Sequence, residues 1–496
     1  MSPASCVLAA LLLMLPAGCA AGPKEDPAGL RWTACGDDEN WAVAGPSAAR
    51  RAHLTVECAE LRVPLAYDDP QSDDLDVAVV RVRDDRQHDR IGSLVLNPGG
   101  PAASGVDYLP AWAGWFPDEL LERFDLVTFD PRGTGLSSPI DCPHEESSGP
   151  VPDVATTAGF RELAQRIADS EAACARHLGS AAGSYGTDDV AHDLDLLRTA
   201  LGDDHLTYVG WSYGARLGAH YAHLFPGTVR ALVLDSPPAP DSSTPAVVEA
   251  QIEGFEAAFH DYVASCAERP SCGELGDPER ALDRVRTRAR ESGIGSGRPA
   301  GDPPADEPLV VRAVLGLLAS PSSWPDLDRA LGEADRGDAG SLYDIVDSLK
   351  GRTPARPDAD SDAARGVVQC IDSPSTESLE ALRPAVQRLA AEHPTFGASG
   401  AAWLLSCTGW PDSARRTLPR PTSSTDADVL VLAGEEDPST PLAGGQALAG
   451  GLGPAAVLLV SEQAGHTSFG SSACVDEHVV EYLISAHAPA RGTVCP

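Results

Sequence analysis

The sequence predicts an α/β fold, a mostly parallel sheet covered by helices on both faces, with a large helical cap inserted into it. Three observations carry this. Short apolar runs ending in Gly-, Pro- or Asp-containing turns alternate with helix-period segments up to residue 237. The alternation stops between 238 and 425 and resumes from 426 to 496. The runs are apolar at successive positions, which suits strands buried on both faces of a parallel sheet.

In chain order, "ELRVPLAY" (60–67) and "DLDVAVVRVR" (74–83) read as the first strands. "SLVLNPGG" (93–100) and "FDLVTFDPRGTG" (124–135) are apolar runs that each end in a turn signal. "DVAHDLDLLRTAL" (189–201) carries Val190, Leu194, Leu197 and Leu201 at helical spacing. "LTYVG" (206–210) is a short buried-type strand, "ARLGAHYAHLF" (215–225) the helix after it, and "VRALVLDSP" (229–237) the next strand. From 238 to 425 the chain is mainly helical, and no internal repeat is evident. The polar breaks "SGIGSGRPAGDPPADEP" (292–308) and "GRTPARPDADSDA" (351–363) read there as surface loops. "DADVLVLAGEEDP" (426–438) and "AAVLLVSEQAGH" (455–466) restore the strands. The core is therefore expected over 32–237 and 426–496, with the cap at 238–425.

Composition bounds the partners. With 43% hydrophobic and 22% charged residues the chain is globular. A net charge of −36 repels phosphate backbones, so nucleic acid is not an expected partner, whereas cationic ligands such as a free amino terminus are favoured. The run "VLAALLLML" (7–15), followed by "PAGCAAG", reads as an export signal over 1–21, although its start lacks Lys and Arg. A buried N-terminal helix is the alternative. Cys19 follows Ala17-Gly18 as a candidate lipid attachment point, with Pro16 where leucine is usual. No later stretch is long and apolar enough to span a bilayer. The expected product is secreted or lipid-anchored, and monomeric.

Cysteine usage agrees with export. Of twelve cysteines, ten lie beyond the signal, and none forms a C-x-x-C pair that would suggest zinc or redox chemistry. Sequential pairing is the simplest arrangement: Cys35–Cys58, Cys142–Cys174, Cys266–Cys272, Cys370–Cys407 and Cys474–Cys495. No metal or organic cofactor is implied.

The chemistry centres on Gly210-Trp211-Ser212-Tyr213-Gly214, between a predicted strand and a predicted helix. Flanking glycines permit the tight turn that exposes a nucleophilic serine. Such a serine needs a base, an acid to orient it, and donors for the oxyanion. His466 follows a late strand, whereas His478 and His487 sit in a terminal helical segment. Asp437 ends the strand before it, with Glu435 and Glu436 as rivals. The order Ser212, Asp437, His466 is that of α/β hydrolases. The Tyr213 N–H is one expected oxyanion donor, and the Gly100 N–H, from "NPGGP", the other.

"NPGGP", "FDLVTFDPRGTGLSSPIDC", "GWSYGARLG", "VRALVLDSP", "CTGWP", "GEEDPSTP" and "GHTSF" together resemble the secreted tripeptidyl aminopeptidases among proline-iminopeptidase-like α/β hydrolases. The resemblance spans about Trp32 to Cys495. It implies a Ser212–Asp437–His466 triad, a cap over the site, and release of short peptides from free N-termini. Ala102 and Ala103 depart from the family's glycine-rich "NPGGPGGSG", and Glu435-Glu436 stand where small or apolar residues are usual. An aminopeptidase must also bind an amine. Glu249, Glu253 and Asp372 are the cap acids considered for that, each also readable as a solvated acid. An esterase or amidase acting on a small or peptide-like metabolite is the alternative, and a non-catalytic binding protein a third reading.

Overall fold

The computed structural model describes residues 29–36, 41–143, 152–240, 245–298, 301–352, 361–373 and 377–496. The expected export signal and Cys19 lie outside these residues, as does most of the 351–363 break. The strands are β1 (Thr33–Ala34), β2 (Leu54–Pro64), β3 (Asp74–Asp84), β4 (Gly92–Asn97), β5 (Phe124–Phe129), β6 (Leu206–Trp211), β7 (Val229–Asp235), β8 (Val429–Gly434), β9 (Ala456–Ser461) and β10 (Val494–Cys495). They form one sheet in the order β1-β2-β3-β5-β4-β6-β7-β8-β9-β10. The pairs from β5 through β10 are parallel, and β1, β2 and β3 add an antiparallel edge.

Strands β4, β5, β6 and β8 are buried at every residue. Their period of two divides the apolar side chains between two cores. Val95, Val127 and Leu232 pack with the helices Thr187–Ala200 and Tyr213–Leu224; Leu94, Leu126 and Val233 pack with Gly105–Ala113 and Ala473–Ser485 on the other face. After β4 the chain turns to one side to make β5, and β6 pairs on β4's other side. The C-terminal ends of β4 and β6 therefore meet at a switch in strand order, where open α/β sheets form their crevice.

Between β7 and β8 lie nine α-helices among the described residues, from Pro245–Ala264 to Gly397–Leu405. Most share their own apolar cluster, including Phe259, Tyr262, Leu327, Leu331, Val386 and Leu389, whereas Ser361–Asp372 packs Ala364, Val367 and Ile371 with Ala102, Ile140 and Tyr185 of the core. Phe160 and Ala164, from the helix Thr157–Leu178 that precedes β6, join the insertion's own cluster. The 292–308 segment is not the loose surface loop its Gly and Pro content suggests. Ile294 and Ala305 are buried and exchange both backbone hydrogen bonds, at 3.0 and 2.7 Å. Arg298 pairs with Asp302, Asp344 and Asp347 at 2.8, 3.0 and 2.6 Å. The glycine at 297 serves a turn at φ 64°, where a Cβ would stand 2.2 Å from the Asp338 carboxylate.

Five disulfides join successive cysteines: Cys35–Cys58, Cys142–Cys174, Cys266–Cys272, Cys370–Cys407 and Cys474–Cys495. The "DPRGTG" turn after β5 is held by buried ionic groups. The Arg132 guanidinium donates to Asp193 and to the carbonyls of Pro64, Leu65 and Ser184. Asp130 accepts from the Ser104 hydroxyl and the N–H groups of Val106 and Leu136, at 2.8, 3.1 and 2.8 Å. It thereby fixes the end of the "NPGGPAAS" loop, and burial pushes its pKa up to about 6.

Candidate active site

Ser212 sits between β6 and the helix Tyr213–Leu224 with φ 56° and ψ −119°. A non-glycine residue there is strained and must be held by its surroundings. Its N–H donates to the Asp235 carbonyl at 2.8 Å, and its carbonyl accepts from the Ala215 N–H at 2.9 Å. The flanking glycines are a packing requirement. A Cβ at Gly210 would meet the Gly214 carbonyl oxygen at 2.2 Å, and one at Gly214 would meet the Asn97 carbonyl oxygen at 2.4 Å. The Tyr208 hydroxyl donates to the Gly214 carbonyl at 2.8 Å. The Ser212 hydroxyl itself is partly buried and makes no hydrogen bond to a described residue.

Asp437 and His466 form a pair. The His466 Nδ1 lies 3.0 and 2.9 Å from the two carboxylate oxygens of Asp437. Asp437 also accepts from the N–H groups of Ser439 and Thr440 and from the Thr440 hydroxyl, each at 2.9 Å. Burial alone would raise the Asp437 pKa, but His466 and these donors hold it below the usual carboxylate value. Burial alone would lower the His466 pKa, but Asp437, with Asp235, raises it above 6.5. The carboxylate assigns the proton to Nδ1 and leaves Nε2 as the basic nitrogen. The rivals are set elsewhere: Glu435, Glu436 and His487 are exposed, and His478 lies beside the Cys474–Cys495 disulfide.

Asp235, at the end of β7, links the two halves of this arrangement. Its carbonyl holds the Ser212 N–H, while its carboxylate accepts from the N–H groups of Ser468 and Phe469 at 3.0 and 2.9 Å. Burial pushes its pKa up to about 6, opposed by those two donors. The His466 loop is further fixed by the His466 N–H on the Ala319 carbonyl at 2.7 Å, a bond to the inserted helices. Phe469 stacks on Trp211 at 6.1 Å with an interplanar angle of 4°. Trp112 meets Trp211 edge-on at 6.0 Å and stacks on Tyr108 at 4.7 Å. Sequence reasoning missed Asp235; the only available signal was an acid closing the strand in "VLDSP".

The "NPGGP" loop lies against Ser212. A Cβ at Gly99 would stand 2.3 Å from the Trp211 carbonyl oxygen, 3.1 Å from the Tyr213 nitrogen and 3.2 Å from the Ser212 Cβ. Gly99, rather than Gly100, thus makes the closest approach. The Gly100 N–H donates to no described residue. The Tyr213 N–H, first in its helix, has no intrahelical acceptor. Ala102 follows at φ 67°, with its methyl buried.

The three cap acids have other surroundings. Glu249 pairs with Arg388 through two contacts of 2.9 Å, and Glu253 is exposed. Asp372 is not a solvated acid: it is buried and accepts from the Thr187 N–H at 3.0 Å and hydroxyl at 2.5 Å. The groups of potential metal ligands among the described residues, Cys474/His478/Cys495 and Glu171/Cys370/Cys407, both use disulfide-bonded sulfurs.

A family model described as alpha/beta hydrolase fold matches residues 92–473. Serine protease Hip1 of Mycobacterium tuberculosis is 32% identical, over 94% of this chain and 91% of its own. Carboxylesterase B of the same species is 34% identical over 89% and 86%. Tripeptidyl aminopeptidase of Streptomyces lividans is 28% identical over 94% and 87%.

Proposed function

The chain belongs to the alpha/beta hydrolase family, and from that premise we propose that it is an exported serine peptidase releasing short peptides from free N-termini. Ser212 Oγ attacks the scissile carbonyl. His466 Nε2 takes the proton and returns it to the leaving amine, and Asp437 keeps the imidazole in the required tautomer. The N–H groups of Gly100 and Tyr213 donate to the oxyanion; loss of one such donor costs about 100- to 1,000-fold in rate. Water then enters, gives a proton to His466 and releases the acyl group. The observation that carries this reading is the Asp437–His466 pair at 2.9 Å, on a loop that Asp235 ties to the backbone of Ser212. The names of the Hip1 and tripeptidyl aminopeptidase relatives support peptide bonds as the target. Five disulfides support an oxidising compartment.

Esterase or amidase activity is the second reading, favoured by the carboxylesterase B relative at 34% identity. Hydrolysis of a free-amine tripeptide anilide, its N-blocked form and a p-nitrophenyl ester separates the two. An exopeptidase cleaves the first far faster than the second. An enzyme that cleaves the ester alone, or ignores the N-terminal block, is not one.

A further inference from the structure

Arg365, on the helix Ser361–Asp372 of the insertion, has no carboxylate within ion-pairing distance among the described residues. Its Nη1 reaches the Gly100 carbonyl at 3.5 Å, a long contact, and its Nε is shut from solvent without a hydrogen-bond partner. Gly100 is the residue after Gly99, which abuts Ser212. Asp362, the acid that acts on Arg365, is already held by Arg312 through both oxygens and by Lys350 at 3.4 Å. Among the described residues, Arg312 and Lys350 therefore already pair with the acid nearest Arg365. Burial pushes the Arg365 pKa down, Asp362 opposes this, and Arg312 adds to it. Arg365 is partly buried, and a guanidinium with its Nε shut from solvent and no carboxylate in contact leaves its planar fork open to a carboxylate.

We propose that Arg365 binds a carboxylate of the substrate beside the scissile bond, so that the site selects acidic substrates. The proposal rests on the reading of Ser212 as nucleophile, and it extends to esters as well as peptides. Two sources share this chemistry: an acidic side chain next to the scissile bond, or the free α-carboxylate of a one-residue leaving group.

Matched pairs of substrates distinguish them. One pair is a tripeptide anilide with Glu or Gln as its third residue. The second is a tetrapeptide with a free or amidated C-terminus. The third is the p-nitrophenyl ester of glutarate or of its neutral amide, glutaramate. The readout is the acid-to-neutral ratio of kcat/KM within each protein, which a general loss of activity does not move. The wild type is expected to give a ratio of about 10 to 100 in at least one pair. Arg365→Gln brings that ratio to near one, and Arg365→Lys leaves an intermediate value. Glutarate should also protect the wild type from phosphonate labelling better than glutaramide, the uncharged diamide, a readout independent of turnover. Ratios near one throughout with no differential protection, or an unchanged ratio in Arg365→Gln, overturn the proposal. Cleavage of esters but not peptides would sink the peptidase reading while the ester pair still tests Arg365. Full turnover in Ser212→Ala would instead sink the nucleophile assignment.

Discussion

Ser212 adopts φ 56° because its neighbours leave it no alternative. Gly210, Gly214 and Asn97 approach closer than any Cβ permits, and the Asp235 carbonyl holds the N–H. Ser212→Ala, Asp437→Ala and His466→Ala should each fold and each lose about 10⁴-fold or more in kcat, with losses that do not add in the double variants. Circular dichroism and kinetics on the purified variants check this. The base must be neutral to take a proton. The raised His466 pKa therefore predicts that kcat/KM rises with pH through a limb centred above 6.5. Asp437→Asn removes the charge that raises it, so the limb of the residual activity should move to lower pH. The placement of Ser212, Asp437 and His466 after strand ends was readable because each ends or follows an apolar run beside a turn signal. The role of Asp235 was not, because it depends on which strands become neighbours.

At the scale of elements, β7 and the His466 loop share one joint. Asp235→Ala leaves the Ser468 and Phe469 N–H groups buried without an acceptor, at about 1–3 kcal/mol each. A lower denaturation midpoint together with a lower kcat is expected; wild-type values of both would show that the joint is dispensable. The 292–308 segment is a second case. Ile294→Ala should cost about 2–4 kcal/mol by chemical denaturation, as for a core residue, and deleting the segment should unfold the insertion. Gly and Pro mark turns there, yet composition could not reveal that the turns pack against the 337–339 turn and the helix Gly340–Leu349. The parallel strands β4 to β9 were readable nearly to the residue, because two-sided burial imposes an unbroken apolar run, whereas β2, expected over 60–67, runs Leu54–Pro64: its first half, in the antiparallel edge, is only partly buried and mixes polar with apolar residues. Strands β1 and β10 have only two residues each and carry no such signal.

Across the whole molecule, an α/β sheet and a separately packed helical insertion meet at the C-terminal ends of β4, β6, β7, β8 and β9. Among the described residues the insertion reaches the site through Ala319 on the His466 N–H, Gln251 on the Ser439 carbonyl at 2.7 Å, Arg365 on the Gly100 carbonyl, and Asp372 on the Thr187 hydroxyl that meets the Tyr213 hydroxyl. Disulfides fasten both parts, and non-reducing peptide mapping should recover the five successive pairs. The Cys474–Cys495 loop of about 20 residues contributes roughly 3 kcal/mol in the chain-entropy model. The Cys474→Ser, Cys495→Ser double variant should therefore melt several degrees lower, read by calorimetry. In the proposed mechanism Ser212 is the nucleophile and His466, oriented by Asp437, activates it. Labelling the mature protein with a serine-directed fluorophosphonate and mapping the adduct by mass spectrometry tests this most directly. One adduct per chain is expected, on the peptide containing Ser212, absent in Ser212→Ala and formed far more slowly in His466→Ala. An adduct on another serine, or undiminished labelling of Ser212→Ala, would contradict it.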